Sequence, residues 1–343
     1  MKDLRSESHL IPEIFELPRR ILLTTHKSPD GDAIGSMLGL FHTLTEMGHT
    51  VTAAAPDNFP AFLNWMPGIE NVRTFDTPEG RIEIEHAVQV SDLHISLDYN
   101  ALQRLGEAMQ QLCETFTGES LLIDHHREPC TTYTYSYHSI DASSTAELVY
   151  DFISIILPGH AIRTDVAQCL YAGIVTDTGS FRFPSASAHT LRVVAGLKEA
   201  GLNHAEVYNN IFDTNSLDRL RLLGYVLSSK LTVLPEFNTA YICLSAADLE
   251  RFQYKPGDSE GFVNYALSVE GVQFACLLKE NGSEVRISLR SKGQLDVNSL
   301  ARQYFSGGGH LNAAGGRLPL PLAQAEQTFL EVVHHNRSLL TNS

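Results

Sequence analysis

With 343 residues, 43% of them apolar and 19% charged, the chain has the composition of a globular enzyme and exceeds the usual size of a single core, so two domains are expected. A net charge of −15 excludes a protein that grips long nucleic acid by neutralising its backbone, and points to small anionic substrates drawn to local cations. No apolar run nears the roughly eighteen residues of a membrane span and the first residues lack a hydrophobic signal core; Cys113, Cys130, Cys169, Cys243 and Cys276 are scattered without CxxC spacing, so a cytoplasmic chain with neither disulfides nor thiolate zinc is expected.

From Ile21 to about Ala188, short apolar runs alternate with amphipathic ones. Ile21–Leu23 reads as a strand, 34–48 as a helix, Thr50–Ala55 and Ile95–Asp98 as strands, 101–113 as helical, and Leu121–Asp124 as another strand. Ser143-Ser144-Thr145 has the look of a cap for a helix reaching about Ile156, which Pro158-Gly159 stops. The alternation predicts an α/β fold with a doubly wound, mainly parallel sheet over residues 1–189. Three consecutive helical stretches, 190–200, 205–212 and 217–229, read as a connector spanning 190–229. From Leu231 the period changes to two, in Leu231–Leu234, Thr239–Leu244, Phe274–Lys279 and Glu284–Arg290, with Asn281-Gly282 marking a hairpin and a helix over 322–340 closing the chain. Residues 230–343 are therefore expected to form a smaller α/β domain with a mixed sheet.

Four runs carry ligand-type side chains. In His26-Lys27-Ser28-Pro29-Asp30-Gly31-Asp32, an imidazole and two carboxylates share one tight turn after a strand. Asp30 and Asp32, two apart with glycine between, can lean the same way in turn backbone, which assigns the cluster to a loop. Two carboxylates about 4 Å apart repel by roughly 4 kcal/mol at an effective dielectric near 20, and a divalent cation would compensate. An ordinary Asp-Gly turn with Asp32 capping the next helix is the alternative. Asp98 ends the second run, Asp124-His125-His126 ends the third, and Asp177 follows the apolar stretch 172–175 in the fourth. Each has a bland reading as a cap or a buried histidine, but ligands of open α/β sheets collect outside the carboxyl ends of strands, and one shared site accounts for all four.

These runs, in this order, resemble the DHH phosphoesterase superfamily, whose name is the tripeptide Asp124-His125-His126. Phe305-Ser306-Gly307-Gly308-Gly309-His310, with the residues up to Gly316, is similar to the glycine-rich signature of the DHH-associated domain, so the resemblance spans roughly residues 20–320. It implies that His26, Asp30 and Asp98 hold one divalent ion and that Asp32, Asp98, His125 and Asp177 hold another, with Asp98 bridging. Ions about 3.5–4 Å apart would generate a hydroxide for in-line attack, clamp non-bridging oxygens and help the departing alkoxide. Mixed carboxylate and imidazole ligation suits Mn²⁺, with Mg²⁺ admissible. Asp124 would steady His125 or His126 from behind or simply anchor the strand end, and His126 would stabilise charge or act as general acid. Arg104, six residues after Asp98, would reach a substrate phosphate or pair with a site carboxylate. Arg290 and Ser291, with Gly307, Gly308, Gly309 and His310, would form a pocket for the substrate's far phosphate or terminal nucleotide, the glycine amides approaching the anion. The run lacks the Lys-Ser/Thr end of a P-loop.

Among superfamily branches, a chain of this size with both domains and no oligonucleotide-binding domain is most similar to those acting on short RNA and on 3′-phosphoadenosine-5′-phosphate (pAp). Partners would be short RNA or small phosphorylated nucleotides, not long nucleic acid or membrane; a homodimer is left open. Linear pApA or cyclic dinucleotide hydrolysis, pyrophosphatase or exopolyphosphatase activity, and a nucleotide-sensing module without turnover are the alternatives.

Overall fold

The runs Ile21–Thr25, Leu93–Leu97 and Leu121–Asp124 are buried at every position, the pattern of strands covered on both faces. In the computed structural model, which describes residues 1–341, they are the centre of a parallel sheet. Its strands are Lys2–Asp3 (β1), Arg20–Thr25 (β2), Thr50–Ala55 (β3), Val72–Thr74 (β4), Leu93–Leu97 (β5), Glu119–Asp124 (β6) and Tyr135–His138 (β7), in the order β1-β7-β6-β5-β2-β3-β4. From β2 the chain winds outward through β3 and β4, then returns to β5 on the other side of β2 and winds away through β6 and β7. The β2–β5 pair is thus the switch point, where side chains beyond the carboxyl ends of the strands can converge.

Helices cover both faces. Leu10–Ile14 (α1), Gly31–Glu46 (α2), Thr145–Ile156 (α5), Thr164–Asp177 (α6), Ala188–Glu199 (α7) and His204–Phe212 (α8) pack with Leu23, Ala53, Ile95 and Leu121 in the larger core. Pro78–Val90 (α3) and Glu107–Cys113 (α4) pack on the opposite face with Leu22, Ala54 and Tyr99. Gly106 interrupts the helix expected over 101–113, leaving a 3₁₀ turn at Leu102–Leu105 before α4. α2 and α6 cross so closely that a Cβ on Gly35 would meet the Cys169 carbonyl oxygen. The stretch leading to Asp177 proves to be this helix α6, not a strand. Its residues Cys169–Val175 are all buried, so no polar face marks the helical period.

A second unit begins at Asn215. The connector expected over 190–229 is therefore divided. Val193, Leu197, Val207 and Ile211 of α7 and α8 belong to the core of Met1–Thr214, whereas Leu222 and Val226, on and just after Leu217–Tyr225 (α9), join a core of the second unit. All three stretches are helical, but which core each apolar face joins is a tertiary matter.

The second unit holds a mixed sheet of Leu231–Leu234 (β8), Thr239–Leu244 (β9), Phe274–Asn281 (β10), Glu284–Ser291 (β11), Gly308–Gly309 (β12) and Ala313–Leu318 (β13), ordered β12-β13-β11-β10-β9-β8. β9 and β10 run parallel and the other pairs antiparallel. The hairpin closes one residue later than expected, with Asn281 paired to Glu284 and Gly282, at φ +64°, in the loop. Ala246–Arg251 (α10), Phe262–Leu267 (α11), Val297–Tyr304 (α12), Leu322–His335 (α13) and Arg337–Thr341 (α14) complete the unit; Asn336 breaks the helix expected over 322–340. All five cysteines are free, and no helix among the described residues is long and apolar enough to cross a membrane.

Candidate active site

His26 directly follows β2, Asp98 directly follows β5, and Asp124 ends β6 with His125 and His126 beyond it. Asp30 and Asp32 are not in a free loop: Asp30 is the N-cap of α2, its Oδ1 accepting from the Asp32 and Ala33 amides, and Asp32 lies in the first helical turn. Asp177 is the last residue of α6. Strand ends, a helix start and a helix end thus meet at one place.

The side chains converge on Asp98. His26 Nε2 lies 3.5 Å from Asp98 Oδ2 and 4.0 Å from Asp30 Oδ1. His125 Nε2 lies 3.6 Å from Asp98, 3.8 Å from Asp32 and 3.7 Å from Asp177, and His126 Nδ1 lies 3.8 Å from Asp98. His26, Asp30 and Asp98 bring one donor atom each within 4.8 Å of one another, and so do Asp32, Asp98 and His125. Asp30 keeps 48% of its side chain exposed and Asp177 26%, so the otherwise buried cluster opens on their side.

Supporting hydrogen bonds orient the imidazoles. His26 Nδ1 contacts the Lys27 carbonyl at 3.0 Å and His125 Nδ1 the Ala142 carbonyl at 3.3 Å. A carbonyl only accepts, so both rings carry a proton on Nδ1 and turn Nε2 toward the carboxylates. His126 Nδ1 is 2.7 Å from Asp124 Oδ1. Asp124 therefore serves His126, while Asp124 Oδ2 is buried with no hydrogen-bond partner among the described residues.

Helix α5, absent from the sequence-derived site, enters here. Its first amides, Thr145 and Ala146, donate to Asp32 Oδ2 and Oδ1 at 2.7 and 2.9 Å, and the Thr145 hydroxyl donates to Asp98 Oδ1 at 2.9 Å. Ser144 caps the helix by accepting from the Glu147 amide. The Ser143-Ser144-Thr145 string was legible as a helix start, but nothing in it says that the start faces two carboxylates more than forty residues away in sequence.

The electrostatics identify what the cluster lacks. Burial pushes the Asp32 carboxyl up to about 6, and Asp30 adds to the rise against the opposing His125 and the Thr145 and Ala146 amides. Burial also drives Asp98 well above its usual range, with the charges of Asp32, Asp30, Asp177 and Asp124 acting in the same sense. Burial lowers His26, whereas at His125 the nearby Asp177 and Asp32 outweigh burial and raise it. At Asp124 burial acts upward but the bond to His126 prevails and holds the carboxyl below its usual range. Crowded buried carboxylates facing imidazole Nε2 atoms are short of countercharge, and hard oxygen donors mixed with imidazole nitrogen suit divalent cations. The donor set fits them.

Arg104, on the 3₁₀ turn after Asp98, has its guanidinium near enough to act downward on His26 and His126, and its carbonyl accepts from the Lys27 amide. It stands beside the cluster.

Arg290, Ser291 and the run Gly307–His310 come together within the second unit. Arg290 pairs with Ala313, the Ser291 amide donates to the Asn312 carbonyl, and the His310 amide to that of Ala313. The glycines have a reason other than the one expected. The Gly307 amide donates to the Ala301 carbonyl and the Gly309 amide to Asn298 Oδ1, so neither is spare for an anion, and a Cβ on Gly307 would collide with the Gly315 carbonyl. Close passage of backbone past backbone excludes side chains there. The Ser291 hydroxyl is likewise engaged, donating to the Leu295 carbonyl and accepting from Asn312 Nδ2.

Comparison with known proteins gives the same frame. The profile of the DHH family, N-terminal domain, matches residues 20–174, and that of the DHHA1 domain matches residues 238–336. The bifunctional oligoribonuclease and PAP phosphatase NrnA of Thermus thermophilus is 32% identical over 317 residues, covering 91% of this chain and 89% of that protein. Its namesake from Bacillus subtilis is 27% identical over 303 residues, covering 87% and 89%. Among solved structures, an exopolyphosphatase-related protein from Bacteroides fragilis superposes with a TM-score of 0.92 at 36% identity, over 98% of both chains.

Proposed function

The chain belongs to the DHH family, with a DHHA1 domain after its N-terminal domain, and on that premise we propose that this phosphoric ester hydrolase trims short oligoribonucleotides to mononucleotides and removes the 3′-phosphate of pAp. The observation that carries the reading is the convergence of His26, Asp30, Asp32, Asp98, His125 and Asp177 from separate elements, with Asp98 at its centre. The likeness to two proteins bearing those activities in their names, at 32% and 27% identity over most of both chains, supports the substrate class.

In this reading His26, Asp30 and Asp98 hold one divalent ion, and Asp32, Asp98, His125 and Asp177 hold a second. When bound, such ions acidify a water, neutralise the non-bridging oxygens and offset charge on the departing oxygen. We assign Mn²⁺ over Mg²⁺ because two imidazoles are in the set. The α5 amides hold Asp32 by both oxygens, so it cannot swing away as substrate enters. His126, anchored through Nδ1 by Asp124, presents Nε2 as the ring nitrogen able to donate to the leaving oxygen. An arriving phosphate favours its imidazolium form. Arg104 contributes positive charge beside the cluster. We assign Arg290 and His310, with Ser291 and Gly307–Gly309 shaping the backbone around them, to the distal phosphate of the substrate.

The test is a rate panel with Mn²⁺ on pAp, RNAs of two to five nucleotides, pApA, cyclic di-AMP, pyrophosphate and polyphosphate. Phosphate release from pAp and mononucleotides from short RNA are expected to dominate, and chelation to abolish both. Faster turnover of polyphosphate would transfer the assignment to the activity in the name of the Bacteroides fragilis neighbour. Tight nucleotide binding without turnover would make the chain a sensor.

A further inference from the structure

Asp98 has φ +65°, in the left-handed region that costs a non-glycine residue free energy and persists only where the surroundings impose it. Its neighbour Tyr99 is fully buried on the α3/α4 face of the sheet. There the Tyr99 hydroxyl donates to Ser96 Oγ at 2.7 Å and meets Thr24 Oγ1 at 2.5 Å. Thr24 contacts His94 Nε2 at 2.7 Å, and the Tyr133 hydroxyl donates to the same Ser96 Oγ at 3.0 Å. Thr24 and Ser96 are direct partners across β2 and β5, so the phenol hydroxyl straddles the two strands whose ends carry His26 and Asp98.

The donors along His94, Thr24, Tyr99 and Ser96 follow one order. Tyr99 spends its proton on Ser96, so the Thr24 hydroxyl donates to the Tyr99 oxygen. Thr24 is then only an acceptor toward His94, which must carry its proton on Nε2. Burial lowers the His94 pKa to about 4, which keeps the ring neutral in that tautomer at physiological pH. A satisfied chain of buried polar groups rigidifies what it touches.

We propose that Tyr99 is a positioning residue: its hydroxyl, clamped across β2 and β5 by Thr24 and Ser96, holds Asp98 in the left-handed conformation that aims both carboxylate oxygens into the His26, Asp32 and His125 cluster. The inference rests on the reading of Asp98 as a ligand for divalent cations. Tyr133 bonds the same Ser96 but is remote from Asp98 in sequence, which supplies the control.

The experiment is Mn²⁺ binding to the full chain by calorimetry and electron paramagnetic resonance, with melting temperature measured in parallel, for the wild type, Tyr99→Phe and Tyr133→Phe. Tyr99→Phe is expected to weaken Mn²⁺ binding roughly tenfold, the lower end of losses on removing a ligand's support. Tyr133→Phe is expected to bind as the wild type does, even where its melting temperature falls as far. Equal affinities for Tyr99→Phe and the wild type, or equal losses in the two variants, would overturn the inference and leave the network a structural one. If Tyr99→Phe does not fold, Thr24→Val removes the other clamp with little change of shape and must show the same loss. A wild type that binds no divalent cation overturns instead the site reading beneath the inference.

Discussion

At the residue scale, the division of labour between the two adjacent histidines follows from what each Nδ1 touches. His125 donates to a backbone carbonyl and turns Nε2 to three carboxylates; His126 leans on Asp124. Asp98→Ala removes the carboxylate common to both donor groups and is expected to abolish divalent binding and turnover together. His126→Ala is expected to leave calorimetric Mn²⁺ binding in place while the rate on pAp falls roughly 10²–10⁴-fold, the range for a general acid. Loss of binding in the second variant would make His126 a ligand instead. The tripeptide Asp124-His125-His126 announced these ligand types, but which histidine faces the cluster depends on Ala142, seventeen residues beyond His125, and on the turn of the chain that brings its carbonyl there.

At the scale of elements, helix starts and close crossings set the geometry. Gly35 lets α2 lie against α6, and these two helices carry Asp32 and Asp177. Gly35→Ala is expected to cost about 1–3 kcal/mol in thermal unfolding as the helices part, and to weaken Mn²⁺ binding with it. In the second unit Asp248, inside the first turn of α10, accepts from the Ser245 amide and hydroxyl, from Tyr225, and from Lys230 at 2.7 Å. Burial acts upward on this carboxyl, but the Lys230 and Ser245 bonds outweigh it and hold the carboxyl below its usual range. A depressed carboxylate contributes its stability above its unfolded value near 4 and loses it as the pH falls toward the folded value. Asp248→Asn should therefore destabilise the second unit by roughly 2 kcal/mol at pH 7 and by progressively less below pH 4, a convergence that melting curves of the two proteins across pH would reveal. Periodicity made most of these elements legible. It missed α6, whose residues Cys169–Val175 are all buried, and it set Asp32 in a loop and Asp177 beyond a strand, where helices α2 and α6 carry them.

For the whole molecule, each unit has its own apolar cores. Residues 1–214 expressed alone are expected to unfold cooperatively and to bind Mn²⁺ as the full chain does. They should lose discrimination between pAp and simple phosphate esters, because Arg290 and His310 belong to the remainder. Retained discrimination in kcat/KM would return substrate choice to the first unit. The division after Thr214 was not legible as such: α8 and α9 have the same amphipathic pattern, and only the cores that absorb Ile211 and Leu222 tell them apart.

The amino-acid sequence alone determined the donor chemistry, the parallel and mixed sheets and the family, because ligand identity and the periods of strand and helix are local properties of the chain. Tertiary structure decided the left-handed backbone at Asp98, the α5 amides on Asp32, the tautomers of His26 and His125 and the Thr24–Tyr99–Ser96 clamp. Each of these needs groups distant along the chain to come within hydrogen-bond reach, and only packing brings that about.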